Sequence, residues 1–126
     1  MPFWNDEFNG AQLDLTKWQF VEGDGCSRGL CGWGNNEEQW YSKNNVRLED
    51  GALHITAKRQ RVLKRSYTSA RLTTQGRFAA QYGRFEARMK LPAGEGFWPA
   101  FWMMPKTELR WQWAHPRANI RRHSFR

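Results

Sequence analysis

Two tryptophans four residues apart, Trp98 and Trp102, and a glycine-hinged loop, Gly32-Trp33-Gly34-Asn35-Asn36-Glu37-Glu38-Gln39-Trp40-Tyr41, hold the residue types with which a protein grips a polyhydroxylated ligand. Sugars present C–H faces and rings of hydroxyls, so a site for them needs flat aromatic platforms beside planar hydrogen-bonding groups such as Asn, Arg and Glu. Positions four apart on a regular strand share a face, so Trp98 and Trp102 could form one such platform. The same spacing suits a mid-sheet strand that buries its aromatic face, and the Gly32 loop could equally be a solvated turn.

Cutting a sugar chain with retention requires more: one carboxylate as nucleophile and a second as acid/base, about 5 to 5.5 Å apart, which one strand face can offer. No such pair stands out. Glu37 and Glu38 are adjacent and would point to opposite sides of an extended chain, and Glu86 lies between Arg84 and Arg88, where ion pairing is the expected role. His54, on an outer strand face, and His115 and His123 near the end read as solvated. No residue is assigned a catalytic role. Cys26 and Cys31, five apart in a Gly-rich loop, could close as a disulfide in an oxidising compartment or stay as two thiols. With no neighbouring His or second Cys pair they make a poor zinc site.

The elements that must position these groups read as β. Eight Trp among the 126 residues are too many bulky rings for all to be core filler. The net charge of +8 would suit a nucleic-acid or membrane-surface partner, but residues 110 to 126 carry five Arg and no acid, which leaves 15 basic and 12 acidic residues before them. That basic end, Arg121-Arg122 included, has no nucleic-acid reader motif, so no nucleic-acid partner is expected. The start has neither a charged n-region nor an apolar h-region, and no 18 apolar residues run together, so neither a signal peptide nor a membrane span is expected in this chain.

Short alternating runs between Gly, Asn and Asp breaks predict strands. Asn44 to Glu49, the turn Asp50-Gly51 and Ala52 to Ala57 form a hairpin signal, with Leu53, Ile55 and Ala57 on one face. Tyr67 to Thr74 alternates as a strand, and Gln81 to Leu91 as a strand buried on one face. Phe97 to Met104 is apolar on both sides, as in the middle of a sandwich, with Pro99 at a bulge or a cleft-facing edge.

Taken in order, these pieces resemble the N-terminal part of glycoside hydrolase family 16, the laminarinase-like β-1,3-glucanases, over residues of about 3 to 105. The resemblance is carried by Trp4-Asn5-Asp6-Glu7-Phe8-Asn9-Gly10, Leu13-Asp14-Leu15-Thr16-Lys17-Trp18, the Gly32 to Tyr41 loop and Asp50-Gly51-Ala52-Leu53-His54-Ile55. It continues through Tyr67-Thr68-Ser69-Ala70-Arg71-Leu72, Tyr82 to Pro92 and Gly96-Phe97-Trp98-Pro99-Ala100-Phe101-Trp102-Met103. It implies an all-β, antiparallel β-sandwich of the concanavalin A-like jelly-roll type, incomplete in this chain. It also implies a cleft for β-glucan in which Asn35, Arg71, Trp98 and Trp102 match positions that line or support the cleft. No cofactor is implied for the chemistry; a structural calcium is, near Glu7 and Gly51, with a further ligand from a last strand. An extracellular or periplasmic location is expected from the family, and the oligomeric state stays open.

After a short Trp-containing loop the family places Gly-Glu-Ile-Asp-Ile-Met-Glu; here Trp113-Ala114 leads instead into His115-Pro116-Arg117-Ala118-Asn119-Ile120-Arg121-Arg122, without an acid. Two segments follow: 3–108 as the N-terminal part of a family 16 catalytic domain, and 109–126 as an atypical Arg-rich tail, out of frame or disordered. The expected function is the β-glucan-binding part of an endo-acting, retaining β-1,3- or mixed β-1,3/1,4-glucanase that does not cut by itself. The alternative is a non-catalytic glycan-binding module.

Overall fold

A computed structural model describes residues 3–106 of the chain. The chain divides into two units with the boundary after Ala79, and the tail expected over 109–126 lies outside the described residues.

The first unit carries all the strands among the described residues: β1 (Gln19–Val21), β2 (Gln39–Tyr41), β3 (Val46–Glu49), β4 (Ala52–Ile55), β5 (Tyr67–Ser69) and β6 (Arg71–Thr73). β1 pairs antiparallel with β6, β3 antiparallel with β4, and β2 parallel with β5. The expected hairpin is β3–β4, in register from Val46 opposite Ile55 to Glu49 opposite Ala52. Asp50 and Gly51 make its two-residue turn with φ of 51° and 66°, the left-handed pair that suits the twist of flanking strands. The expected face of Leu53, Ile55 and Ala57 is less covered than alternation implies: Leu53 is half-buried, while Ile55 and Ala57 are exposed. The strand read over Tyr67 to Thr74 is broken at Ala70 into β5 and β6, which join different partners.

Buried polar bonds lock these short ladders together. Thr68 and Asn45 are both buried, and Asn45 Nδ2 donates to Thr56 O at 2.7 Å and to Thr68 Oγ1 at 2.8 Å. Because both are shielded from water, losing either partner would strand the other. The N-terminal segment is held by aromatic packing: Trp4 stacks on Phe78 at 5.1 Å and meets Trp18 edge-on at 5.4 Å, while Trp18 Nε1 donates to Asp6 Oδ2 at 2.8 Å.

The second unit corrects two expectations. Residues 80–106 contain no strand, so neither Gln81 to Leu91 nor Phe97 to Met104 is the strand that its alternation predicts. Phe85, Met89 and Leu91 are exposed rather than buried on one face. Alternation records which face a strand would bury, whereas a strand exists only where a second backbone completes its ladder, and none does so among the described residues. Glu86 does pair with Arg84, as its surroundings suggested.

Candidate functional site

The best-formed constellation in the first unit is built on the loop that precedes β2. Asp24 starts it: its carbonyl accepts from Gly32 N–H at 2.9 Å, and its carboxylate accepts from Cys26 N–H at 3.1 Å. Cys26 and Cys31 are joined as a disulfide, which settles the alternative that their spacing left open. Gly25 must be glycine here, because a Cβ would sit 2.1 Å from Leu30 O and its φ is +83°. So constrained, the chain turns through left-handed Gly32 and Trp33 and buries the Trp33 ring.

Trp33 and Tyr41 are the buried hydrophobic residues of the described chain, with ring centroids 6.0 Å apart. Two guanidinium groups meet the indole: Arg71 from β6 with its Cζ 5.1 Å from the ring centroid, and Arg28 at 5.6 Å. Such contacts orient a cation over the ring face. Trp33 Nε1 is buried and has no hydrogen-bond partner among the described residues, an imperfection of the kind functional sites tolerate.

Beside this stack lies a polar knot centred on Glu37. Its carboxylate accepts from Tyr41 Oη, from Gln39 Nε2 at 2.9 Å and from Asn35 Nδ2 at 3.4 Å. Burial, followed by the bond to Glu37 and its charge, pushes the Tyr41 hydroxyl up to about 12, so the phenol stays a donor. Arg65 ties the loop shut from outside, donating from Nε to Asp24 Oδ2 at 3.0 Å and from Nη1 to the Glu37 carbonyl at 3.1 Å.

Two of the four expected binding residues are thus joined in one cluster: Asn35, exposed, through Glu37, and Arg71, half-buried, through Trp33 and Tyr41. Trp98 and Trp102 belong to the second unit, where their rings are 70% and 51% exposed. Neither is packed into a core among the described residues. Arg65 and Asp24 escaped sequence reasoning because their ion pair spans 41 positions and follows no strand or helix period. Buried Trp33 stood in the quoted loop, but its part in orienting Arg71 did not show there.

Near the expected metal position, Gly51 faces Asn9: a Cβ on Gly51 would lie 3.1 Å from Asn9 Oδ1. Calcium takes six to eight oxygens, yet no three His, Cys, Asp or Glu side chains converge among the described residues. Glu7 and Gly51 alone do not make a calcium shell.

The arrangement has recognisable relatives. The chain is 44% identical over 106 residues to a β-glucanase of Rhodothermus marinus, covering 81% of this chain and 35% of that protein. A shorter stretch of 39 residues is 56% identical to a β-1,3-glucan-binding protein of Penaeus monodon, covering 31% of this chain and 11% of that one. The laminarinase catalytic domain of Thermotoga maritima superposes with a TM-score of 0.82 at 41% identity, over 86% of this chain and 46% of that domain. The chain therefore has the jelly-roll fold of the laminarinases, of which it spans less than half. The family model for glycosyl hydrolases family 16 matches residues 34–113, a span that takes in the Trp33 neighbours Asn35, Glu37, Tyr41 and Arg71 as well as Trp98 and Trp102, and the chain belongs to that family.

Proposed function

We propose that this chain is the glucan-gripping part of a retaining endo-β-1,3-glucanase, acting on β-1,3 or mixed β-1,3/1,4 glucan, and that by itself it binds without cutting. The observation that carries this is the Asn35–Glu37–Tyr41–Trp33–Arg71 cluster, in which an exposed amide and an oriented guanidinium are held beside aromatic rings. Such a set matches alternating hydroxyls and C–H faces of a sugar chain. Trp98 and Trp102 add exposed platforms. The 126 residues contain no Glu-x-Asp-x-x-Glu run, so the two carboxylates that retention demands have no source in them.

Affinity electrophoresis in laminarin gels tests the binding. The chain should be retarded, and Asn35→Ala, Arg71→Ala and Trp102→Ala should each reduce the retardation; unchanged mobility in all three would overturn the assignment of the grip. A reducing-sugar assay on laminarin should show no turnover. Turnover abolished by Glu86→Gln would instead place a carboxylate where none is assigned.

A non-catalytic glycan-binding module is the second reading, favoured by the similarity of 39 residues to a protein named for binding β-1,3-glucan. An exported location is supported by the Cys26–Cys31 disulfide, which persists in oxidising compartments. A structural calcium would draw on the oxygens around Glu7 and Gly51 together with ligands beyond the described residues. If so, adding calcium after chelation should raise the melting temperature, and no shift would count against it.

A further inference from the structure

We propose that the hairpin of residues 58–65 is a second carbohydrate-facing surface, one that takes the carboxylate or sulfate groups of an acidic polysaccharide. The segment Lys58-Arg59-Gln60-Arg61-Val62-Leu63-Lys64-Arg65 holds five cations and no acid. Residues 1–109 carry 15 basic and 12 acidic side chains, so outside this hairpin ten cations face twelve acids, and the positive balance of that span lies in these eight residues.

The hairpin is fixed rather than trailing. Val62 and Arg65 exchange backbone hydrogen bonds of 2.9 Å around a tip in which Leu63 takes a left-handed φ of 52°, and Lys58 exchanges bonds of 2.9 Å with buried Thr68. Gln60 Oε1 accepts from Thr68 Oγ1 at 3.2 Å on the outgoing arm, and Arg65 is bolted to Asp24 and Glu37 on the return. That leaves Lys58, Arg59, Arg61 and Lys64 exposed, with no carboxylate partner among the described residues. Arg59 and Arg61 are two apart on the outgoing arm. Cations displayed on a pinned hairpin lose less freedom on binding than those on a loose chain.

The chemistry beside the hairpin selects the class of polyanion. Lys64 and Arg65 line an open depression of about 310 Å³ with Ser66, the exposed ring of Tyr67 and Glu38. An aromatic ring, a hydroxyl and a carboxylate acceptor suit sugar faces and hydroxyls between spaced charges. Nucleic acid, with a charge about every 1.7 Å of duplex, offers no neutral stretch to meet Glu38, whereas a polysaccharide with spaced charges can set a hydroxyl against it. The carbohydrate class rests on the proposed glucan function; the charge requirement does not.

The test uses the 126-residue chain in affinity gels containing neutral laminarin, carboxymethylated laminarin, carboxymethylated dextran or DNA. Both carboxymethylated polymers should retard the wild type, with apparent affinity for carboxymethylated laminarin about tenfold above that for neutral laminarin at low salt. The fourfold variant Lys58→Gln, Arg59→Gln, Arg61→Gln, Lys64→Gln should lose that excess and keep its mobility in neutral laminarin, whereas Arg59→Lys with Arg61→Lys should retain the excess. The proposal is overturned if the fourfold variant keeps the excess, if Arg117→Gln, Arg121→Gln and Arg122→Gln abolish it instead, or if DNA retards the wild type as strongly. The dextran gel reads the hairpin without a β-glucan backbone, so loss of retardation in neutral laminarin alone would count against the glucan grip and not against this surface.

Discussion

The Arg71 guanidinium carbon lies 5.1 Å from the centroid of the Trp33 indole, so a strand residue and a loop residue 38 positions apart share one contact. Replacing Trp33 by Leu removes the ring that orients Arg71 and should lower laminarin affinity about fivefold, the equivalent of about 1 kcal/mol. Trp33→Phe should keep most of it. Affinity electrophoresis decides: if Arg71→Ala weakens binding and Trp33→Leu does not, the indole has no positioning role.

Arg65→Ala should lower the stability of the first unit, because it removes the ion-pair partner of the Asp24 carboxylate and the side-chain donor to the Glu37 carbonyl. Arg65→Lys should recover only part, since an ammonium cannot span both acceptors as the planar fork does. Urea midpoints measure this, and equal midpoints for all three proteins would refute the clamp.

The same clamp has a pH signature. The Cys26 amide, then the Arg65 guanidinium, hold the Asp24 carboxyl below its ordinary value. A depressed carboxyl contributes stability that is present above the unfolded value of about 4 and lost as pH falls through the folded one. Tyr41 acts at the other end: burial and Glu37 raise it to about 12, so its contribution is intact below about 10 and disappears between 10 and 12. Asp24→Asn should flatten the acid limb of a urea-midpoint profile and Tyr41→Phe the alkaline limb. Tyrosinate absorbance should also lose a component near pH 12 in Tyr41→Phe.

Reducing the Cys26–Cys31 disulfide should cost about 2 kcal/mol, the loop-closure value for so short a ring. Because Trp33 follows Cys31 by two residues, its fluorescence should shift on reduction before the protein unfolds globally. A shift that appears only with global unfolding would show that the ring does not constrain the indole.

What could be read from sequence divides by range. Asp50-Gly51 announced its hairpin because turn chemistry is local, and both residues adopt the left-handed values such a turn needs. Asn35 and Arg71 came from family likeness; the structure links them through Glu37, Tyr41 and Trp33. The Cys26 and Cys31 spacing permitted two states, and only three-dimensional closeness chose one. Arg65 gave no signal, since nothing in its neighbourhood reveals an acid 41 residues earlier. At Phe85 and Met89 the alternation was real, but burial requires a covering layer that a period cannot report.

The pairing of β1 with β6 carries a consequence for synthesis. Gln19 meets Thr73 across a separation of about fifty residues, so the first strand leaves the ribosome well before its partner exists. At ordinary elongation rates that wait lasts seconds, during which the β3–β4 hairpin can close but β1 cannot. The described strands thus pair from the middle outward, and β1 is among the last of them to find a place.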